Sequence, residues 1–594
     1  MRDISFSGNQ QVSARQIKKK IVTQQTGWWP FATKHHFDPV AWQSDLARIE
    51  RLYETMGHYQ AEVMKDQVIP DKSGGVKLAV RINEGELTRI GRVDIAGVDK
   101  LPEADGQAAL DDLPLRPEAP FLEGDWNAAK NQLRSELRGR GYATVDVDGQ
   151  ALVDVSTHRA DLKLAVSAGR HYRFGDIRVD TGKGTRIAPV WIWEQARLAA
   201  PEGASFSDDA LEEAQRRVSG MGVFAMTKVT AGAPDPATSL IPVDVEVREA
   251  PPRTLRLGGG ARIDQIRNEA RAIGEWTHRD FRGGMRRLML RAEAGWAFIP
   301  NTYAVLRDQS DVGPRNGPIF RLRLEFEQPR LLGRPSWRER STLVVERTME
   351  QSYNLLGARL QNGVIWQPRG SLTVFPSHNL ESSYLNGPPI SGAATAPLTL
   401  GCASSSNNCL VWLSYLEEVV TWDRRGNALD PRDGFYASVA LQQGGGPLLG
   451  DFTYLRVLPD VRGYVSFGED NDLTLSARAR VGALLPRSGD AGDSAVVTRF
   501  YGGGGASMRG FSDRRLSPLL AAPAPGTDPN ARLTLPIGGN GLIEGNFEVR
   551  YSLTANLRLA VFADFGQVTR DRLRFDDLRG VLWAVGVGLR YLTP

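Results

Sequence analysis

The chain changes its hydrophobic period at Pro251-Pro252. Before that point, apolar residues recur at helical spacing. In 45–63, Leu46, Ile49, Leu52 and Tyr53 share one helical face, and Gly57 follows where a left-handed cap would end the helix. The same order of helix, Gly-aromatic turn and strand returns in 129–147 around Gly141-Tyr142. It returns again in 211–229 around Gly222-Val223-Phe224. Each copy opens with a strand (4–6, 90–95, 174–179) and closes with another (76–82, 161–166, 242–247). The spacing predicts three β-α-α-β-β units of an α+β fold, at 1–86, 87–170 and 171–250.

After Pro252 the period is two. Phe320, Leu322, Leu324 and Phe326 alternate with Arg321, Arg323, Glu325 and Glu327. Trp583, Val585, Val587, Leu589 and Tyr591 alternate with Ala584, Gly586, Gly588 and Arg590. About fourteen strands are predicted: 253–262, 268–278, 285–298, 318–328, 337–350, 353–366, 370–385, 409–423, 434–444, 451–467, 472–484, 541–553, 556–568 and 581–593. Alternation fits a soluble sandwich or a membrane barrel. Two features favour the barrel for 251–594. Many strands reach the ~9–11 residues needed to span a bilayer, and no interleaved helices are present to cover a sheet.

Composition narrows the choice. The 594 residues carry 73 Lys+Arg against 69 Asp+Glu, a net charge of +4. That small excess is a solvated surface and gives no reason to invoke nucleic acid. Mean hydropathy is −0.31, and no apolar run approaches the ~18 residues of a membrane helix; barrels escape that test. Cys402 and Cys409 sit in a polar loop and read as a local disulfide or as two free thiols. His35-His36 with Asp38 lacks a third metal-ligand partner. Trp28-Trp29-Pro30-Phe31 reads as packing between two helices. No Gly-x-Ser-x-Gly or His-Glu-x-x-His occurs, so no catalytic residue, metal or cofactor is assigned. Met1 leads straight into a strand with no signal segment, as in a mature or trimmed chain.

The longest connection runs from Pro486 to about Asn540. It carries Arg499-Phe-Tyr-Gly-Gly-Gly-Gly-Ala-Ser-Met-Arg-Gly-Phe511. Four consecutive glycines permit a tight backbone fold, which presents Arg509-Gly510-Phe511. A loop of this length among strands is functional or disordered. Phe500, Tyr501 and Phe511 argue for burial, and so for function.

Several motifs carry a resemblance. Ile4-Ser-Phe-Ser-Gly-Asn9, Gly57-His-Tyr-Gln-Ala-Glu-Val63 and Ile82-Asn-Glu-Gly85 resemble a POTRA domain, the periplasmic module of the BamA/TamA superfamily of outer-membrane assembly barrels. Trp422-Asp423-Arg-Arg-Gly-Asn-Ala-Leu-Asp430-Pro431-Arg-Asp-Gly434-Phe resembles that family's Asp-rich turn. Phe500-Tyr-Gly-Gly503 with Met508-Arg509-Gly510-Phe511 resembles its signature loop, and Phe562-Ala563-Asp564-Phe-Gly566 its inward strand motif.

The resemblance implies an outer-membrane insertase. Periplasmic POTRA domains would capture unfolded outer-membrane proteins by strand addition, and a barrel seam would insert them. Partners would be those clients, outer-membrane lipid, and periplasmic or inner-membrane accessory proteins. The family barrel has sixteen strands, two more than are read here. Its seam would show in this chain as the first strand, at Leu255, Leu257, Gly258, Gly259 and Gly260. On 556–568, Leu557, Leu559, Val561, Ala563 and Phe565 would face lipid, and Arg558, Phe562 and Asp564 the lumen. Arg509 would then bind Asp564, lie on Phe562 and take Glu548 as a second partner. The competing pairing gives Asp564 to Arg558 or Arg590. Two other functions compete. A two-partner-secretion pore would carry two POTRA domains and a plug helix. A barrel enzyme would need a Ser/His pair that no motif reveals. A plain porin would have no periplasmic domains. Whether the role is BamA-like or TamA-like stays open.

Overall fold

The computed structural model describes all residues except 27–33, 71–73, 183, 264–266, 301–314, 388–399, 402–407, 469–471, 488–493, 524–531, 555 and 593–594. The Trp28–Phe31 cluster therefore lies outside the described residues. Two compact units are present. One comprises Met1–Val179, Ala196–Gln215 and Lys228–Val245; the other comprises Asp180–Gln195, Arg216–Thr227 and Glu246–Pro594. The third β-α-α-β-β segment contributes to both.

The first repeat is β1 (Asp3–Ser7), α1 (Ala14–Lys20), α2 (Pro39–Thr55), β2 (Glu62–Pro70) and β3 (Val76–Asn83). Its sheet order is β1-β3-β2, with β1 parallel and β2 antiparallel to the central strand. Ser13 and Gln16 form a capping box on α1; Asp38 caps α2 ahead of Pro39. Ile4, Ile17, Trp42, Ile49, Tyr53 and Leu78 form the core. The second repeat is β4 (Arg89–Ala96), α3 (Glu103–Leu110), α4 (Glu123–Gly139), β5 (Asp146–Asp154) and β6 (Arg159–Ser167), in order β4-β6-β5. The third is β7 (Arg173–Asp180), α5 (Pro189–Arg197), α6 (Asp208–Ser219), β8 (Phe224–Ala231) and β9 (Leu240–Glu249), in order β7-β9-β8.

The repeats join by one recurring device. Gly57, at φ +90°, presents its carbonyl to the Thr88 N–H at 2.9 Å, and Gly141, at φ +107°, presents its own to the Tyr172 N–H at 2.8 Å. A Cβ on Gly57 would lie 2.8 Å from the Phe121 carbonyl oxygen. Only glycine combines that dihedral with that approach. The helix-ending glycine thus serves the start of the next repeat as well as its own helix.

Among the described residues, the remaining chain forms a fourteen-stranded antiparallel barrel sheet. Its strands are β10 (Arg253–Ile263), β11 (Asn268–His278), β12 (Arg287–Ile299), β13 (Arg315–Pro329), β14 (Trp337–Met349), β15 (Asn354–Arg369) and β16 (Leu372–Asn386). They continue as β17 (Asn408–Asp423), β18 (Gly434–Gly444), β19 (Tyr454–Phe467) and β20 (Leu473–Pro486). After the long loop come β23 (Gly541–Ser552), β24 (Leu557–Thr569) and β25 (Leu582–Tyr591). Neighbours pair in sequence order from β10 to β25. The long loop contains a separate hairpin, β21 (Leu519–Pro523) with β22 (Arg532–Pro536), which the alternation did not reveal. Its strands are short and bounded by prolines, so they read as loop.

Sidedness is inverted relative to a soluble sheet. Leu322, Leu324, Val561, Val585 and Val587 are exposed, while Glu325, Glu327, Glu544, Glu548 and Asp564 are buried. This is the arrangement of a barrel with lipid outside and a polar lumen within. Among the described residues no helix is long and apolar enough to cross a membrane.

Candidate functional site

The site is the tip of the 487–540 loop, held inside the barrel against β23, β24 and β25. Its neck is an apolar cluster. Phe500 and Val496 pack with Leu400, Tyr415, Tyr454, Leu484 and Leu542, which come from the surrounding wall and a neighbouring loop. Phe500 and Gly539 exchange backbone hydrogen bonds of 2.8 and 3.0 Å, which closes the neck. Gly503 (φ +104°) and Gly504 (φ +87°) then reverse the chain. A Cβ on Gly503 would stand 2.3 Å from the Ser512 carbonyl oxygen. The Gly504 N–H donates to the Phe511 carbonyl at 2.7 Å, so the glycine run and the Arg509-Gly510-Phe511 segment form one closed tip.

Arg509 projects from that tip onto Asp564. Its Nε and Nη2 donate to the two carboxylate oxygens at 2.8 and 2.6 Å, and its backbone N–H donates to Oδ2 at 3.0 Å. Nη1 donates to Glu548. The guanidinium carbon stands 3.5 Å from the Phe562 ring centroid. A bidentate guanidinium–carboxylate fork with a ring beneath fixes both the direction and the plane of the arginine. Asp564 is fully buried. Removing one partner of such a pair strands the other charge out of water, a loss of about 3–5 kcal/mol.

Around this contact the wall is built to receive the loop. Ser507 donates to Glu544, and the Asn546 amide donates to the Ser507 carbonyl at 2.8 Å. Glu548 also accepts from Arg550 at 2.6 Å and Arg590 at 2.7 Å. A Cβ on Gly510 would lie 2.4 Å from the Ala584 Cβ, and one on Gly586 would lie 2.5 Å from the Phe562 ring. Small residues on β25 therefore make room for the tip. A second tie lies higher in the loop, where Arg514 meets Glu350 at 3.2 Å and the Tyr353 hydroxyl at 3.2 Å, beneath the Tyr501 ring.

The structure brings Arg509, Gly510, Phe562, Asp564 and Glu548 together. Phe511 is half-buried and joins through its backbone carbonyl. The competing partners of Asp564 are engaged elsewhere: Arg558 binds Asp430 in the turn between β17 and β18, and Arg590 binds Glu548. The first-strand residues are apart from this cluster in the pairing order. Leu255 and Leu257 are exposed, and Gly258, Gly259 and Gly260 pair with Ile273, Ala272 and Arg271. Cys409 is disulfide-bonded; Cys402 lies outside the described residues. Sequence reasoning missed Glu544, Asn546, Ser507, Ala584, Gly586 and the Asp430 tie. Glu544 and Asn546 share the inward parity of Glu548 on β23, so the period-two pattern already contained them. The cluster supplies a clamp of charge and stacking.

Comparison with known proteins agrees with this architecture. The Omp85 superfamily domain model matches residues 321–594, and the POTRA model, described as a surface antigen variable number repeat, matches residues 1–85. Outer membrane protein assembly factor BamA of Neisseria meningitidis serogroup B is 24% identical over 241 residues, covering 39% of this chain and 29% of that protein. BamA of Nitratidesulfovibrio vulgaris is 28% identical over 182 residues, covering 29% of this chain and 20% of that protein. The chain thus matches less than a third of the length of either relative. Among solved structures, BamA from Haemophilus ducreyi lacking POTRA domains 1–3 aligns over 86% of this chain and 94% of that chain, at 14% identity and a TM-score of 0.48. The POTRA3–5 segment of Haemophilus influenzae BamA covers 42% of this chain and 96% of that chain, at 20% identity and a TM-score of 0.29. With a POTRA domain at its start and an Omp85 superfamily domain over most of its barrel, the chain has its barrel in the bacterial outer membrane and its POTRA repeats in the periplasm.

Proposed function

We propose that this protein assembles other barrel proteins into the outer membrane. The observation that carries the reading is the edge of β10, which pairs on one side with β11 and, among the described residues, with nothing on the other. An unpaired strand edge in hydrocarbon costs several kcal/mol per unsatisfied group. It is therefore a strong template for an incoming strand. Gly258, Gly259 and Gly260 weaken the pairing β10 already has, which suits a seam that opens. Backbone pairing and burial of lipid-facing surface supply the driving force, so no nucleotide is needed.

The periplasmic repeats, with boundaries at 1–86, 87–170 and 171–250, offer further edges. β2 and β5 are edge strands of their sheets, and Met64, Val68, Ile69 and Leu152 on them are exposed. Backbone pairing at such an edge accepts an unfolded client whatever its sequence. The Arg509 clamp holds β23, β24 and β25 in a fixed curvature behind the seam. Unfolded outer-membrane proteins, outer-membrane lipid and accessory proteins on the periplasmic side are the partners.

The test uses the full chain in liposomes with an urea-unfolded outer-membrane barrel as client. Folding is read as protease resistance and heat-modifiable migration. A Leu257→Cys variant should crosslink to a terminal strand of the client during folding. Client folding no faster than in empty liposomes would sink the proposal. Accelerated folding without any crosslink at β10 would sink the seam alone.

A further inference from the structure

At the end of the barrel that carries its short connections, seven arginines and one carboxylate, Glu327, are among the residues lining a cavity of about 140 Å³. All of these residues belong to the second compact unit. Arg287, Arg338 and Arg340 converge on Glu327 at 3.0, 3.3 and 3.2 Å, and Arg287 also meets Glu325 at 2.8 Å, so three guanidiniums share two carboxylates. Arg330 takes Glu194 at 2.5 Å. Arg279 is held by the Pro251 carbonyl at 2.9 Å. A carbonyl fixes a guanidinium but does not cancel its charge. The Nε atoms of Arg287, Arg330 and Arg340 are buried with no hydrogen-bond partner among the described residues.

A cavity lined in this way has positive charge left over and donors left unmet. Buried donors without partners are costly, and like charges at close range raise the cost. An anion with several oxygens meets both needs. The planar guanidinium fork matches phosphate geometry, and a cavity this small holds one phosphoryl group with a few waters. Trp337 and Trp366, paired in register across β14 and β15 with ring centroids 6.1 Å apart, lie on the same stretch of wall as Arg338 and Arg340. Outward-facing tryptophans of a barrel sit at the lipid headgroup level. The cavity is therefore level with the headgroups.

We propose that this cavity binds a phosphoryl group, as free phosphate or on an anionic lipid headgroup. Calorimetric titration of inorganic phosphate into the full chain in a neutral detergent should give saturable binding. Arg338→Gln with Arg340→Gln should weaken it at least tenfold, while Arg159→Gln, which removes a charge from the second repeat, should leave it unchanged. Glu327→Gln removes the lining carboxylate and should tighten it. In nanodiscs, native mass spectrometry should show retained phosphatidylglycerol over phosphatidylcholine if the headgroup is the source. Phosphate binding without lipid retention assigns the free ion. Absence of both in the wild type would overturn the site, as would unchanged affinity in the double arginine variant or weaker affinity in Glu327→Gln. No client enters these measurements, so their failure leaves the assembly reading untouched.

Discussion

Strand β6 of the second repeat and strand β24 of the barrel share one pattern and bury opposite halves of it. In β6, Leu162, Leu164 and Val166 are buried, and Asp161, Lys163 and Ala165 face solvent. In β24, Asp564 and Arg558 are buried, while Leu559 and Val561 are exposed. The difference lies in what each polar face does with its charges. On β6 they stand at the solvated surface, where a partner such as Glu118, 2.9 Å from Arg159, adds little. Inside the barrel they tie strand to strand: Arg287 meets Glu325 at 2.8 Å, and Arg271 meets Glu293 at 3.1 Å. A polar face that pairs with itself marks a lumen; one that leaves its charges solvated marks a surface.

The comparison breaks most sharply at Asp564. Replacing it by Ala removes the fork and leaves the partly exposed Arg509 with Glu548 alone, and the barrel should lose about 3–5 kcal/mol. Urea unfolding in lipid reads the loss, client folding should slow with it, and a wild-type midpoint would remove the clamp from the account. Leu164→Ala tests the opposite face. It should cost about 2–5 kcal/mol through the cavity it leaves, in a transition that circular dichroism of the periplasmic repeats reports and barrel gel mobility does not. Val587→Arg places a charge on the lipid face in mid-strand, with an expected loss of about 2–4 kcal/mol. Lys163→Ala on the solvated face should stay within about 0.5 kcal/mol. Equal effects at these two positions would erase the distinction between the surfaces.

The smallest effect is one of pH. Asp45 is a buried carboxylate in the first repeat. Burial pushes its pKa up, but the Thr23 hydroxyl, the Val22 and Thr23 amides and Arg48 outweigh that and hold it below the usual carboxylate value. A depressed folded pKa adds stability that is complete above the unfolded value, near 4, and is lost as pH falls through the folded one. The melting temperature of the first repeat should therefore drop on acidification below about pH 4. Asp45→Asn should flatten that slope, and an unchanged slope would assign the acid sensitivity elsewhere.

Much of this was legible in the chain because it is written in period. All fourteen predicted barrel strands coincide with β10 to β20 and β23 to β25 to within a few residues. The three glycines at 57, 141 and 222 each end a helix at positive φ. Arg509, Asp564, Phe562 and Glu548 were nameable because a motif and a parity both pointed at them. What escaped depends on distance in space alone. Asp430 and Arg558 are far apart in sequence, and no periodicity links a turn to a strand across a lumen. The β21–β22 hairpin escaped because its strands are too short to display alternation. The role of Gly57 and Gly141 in joining repeats escaped because a carbonyl direction has no signature in residue type.

Gly510 and Ala584 face each other with no room for one more carbon. Each sets the size the other is allowed, so neither can drift by itself. A methyl gained at Gly510 requires the methyl of Ala584 to be given up first, since the reverse order passes through the overlap. Lineages that keep this loop inside the barrel should inherit the two small residues together, or exchange their sizes in a single coupled step.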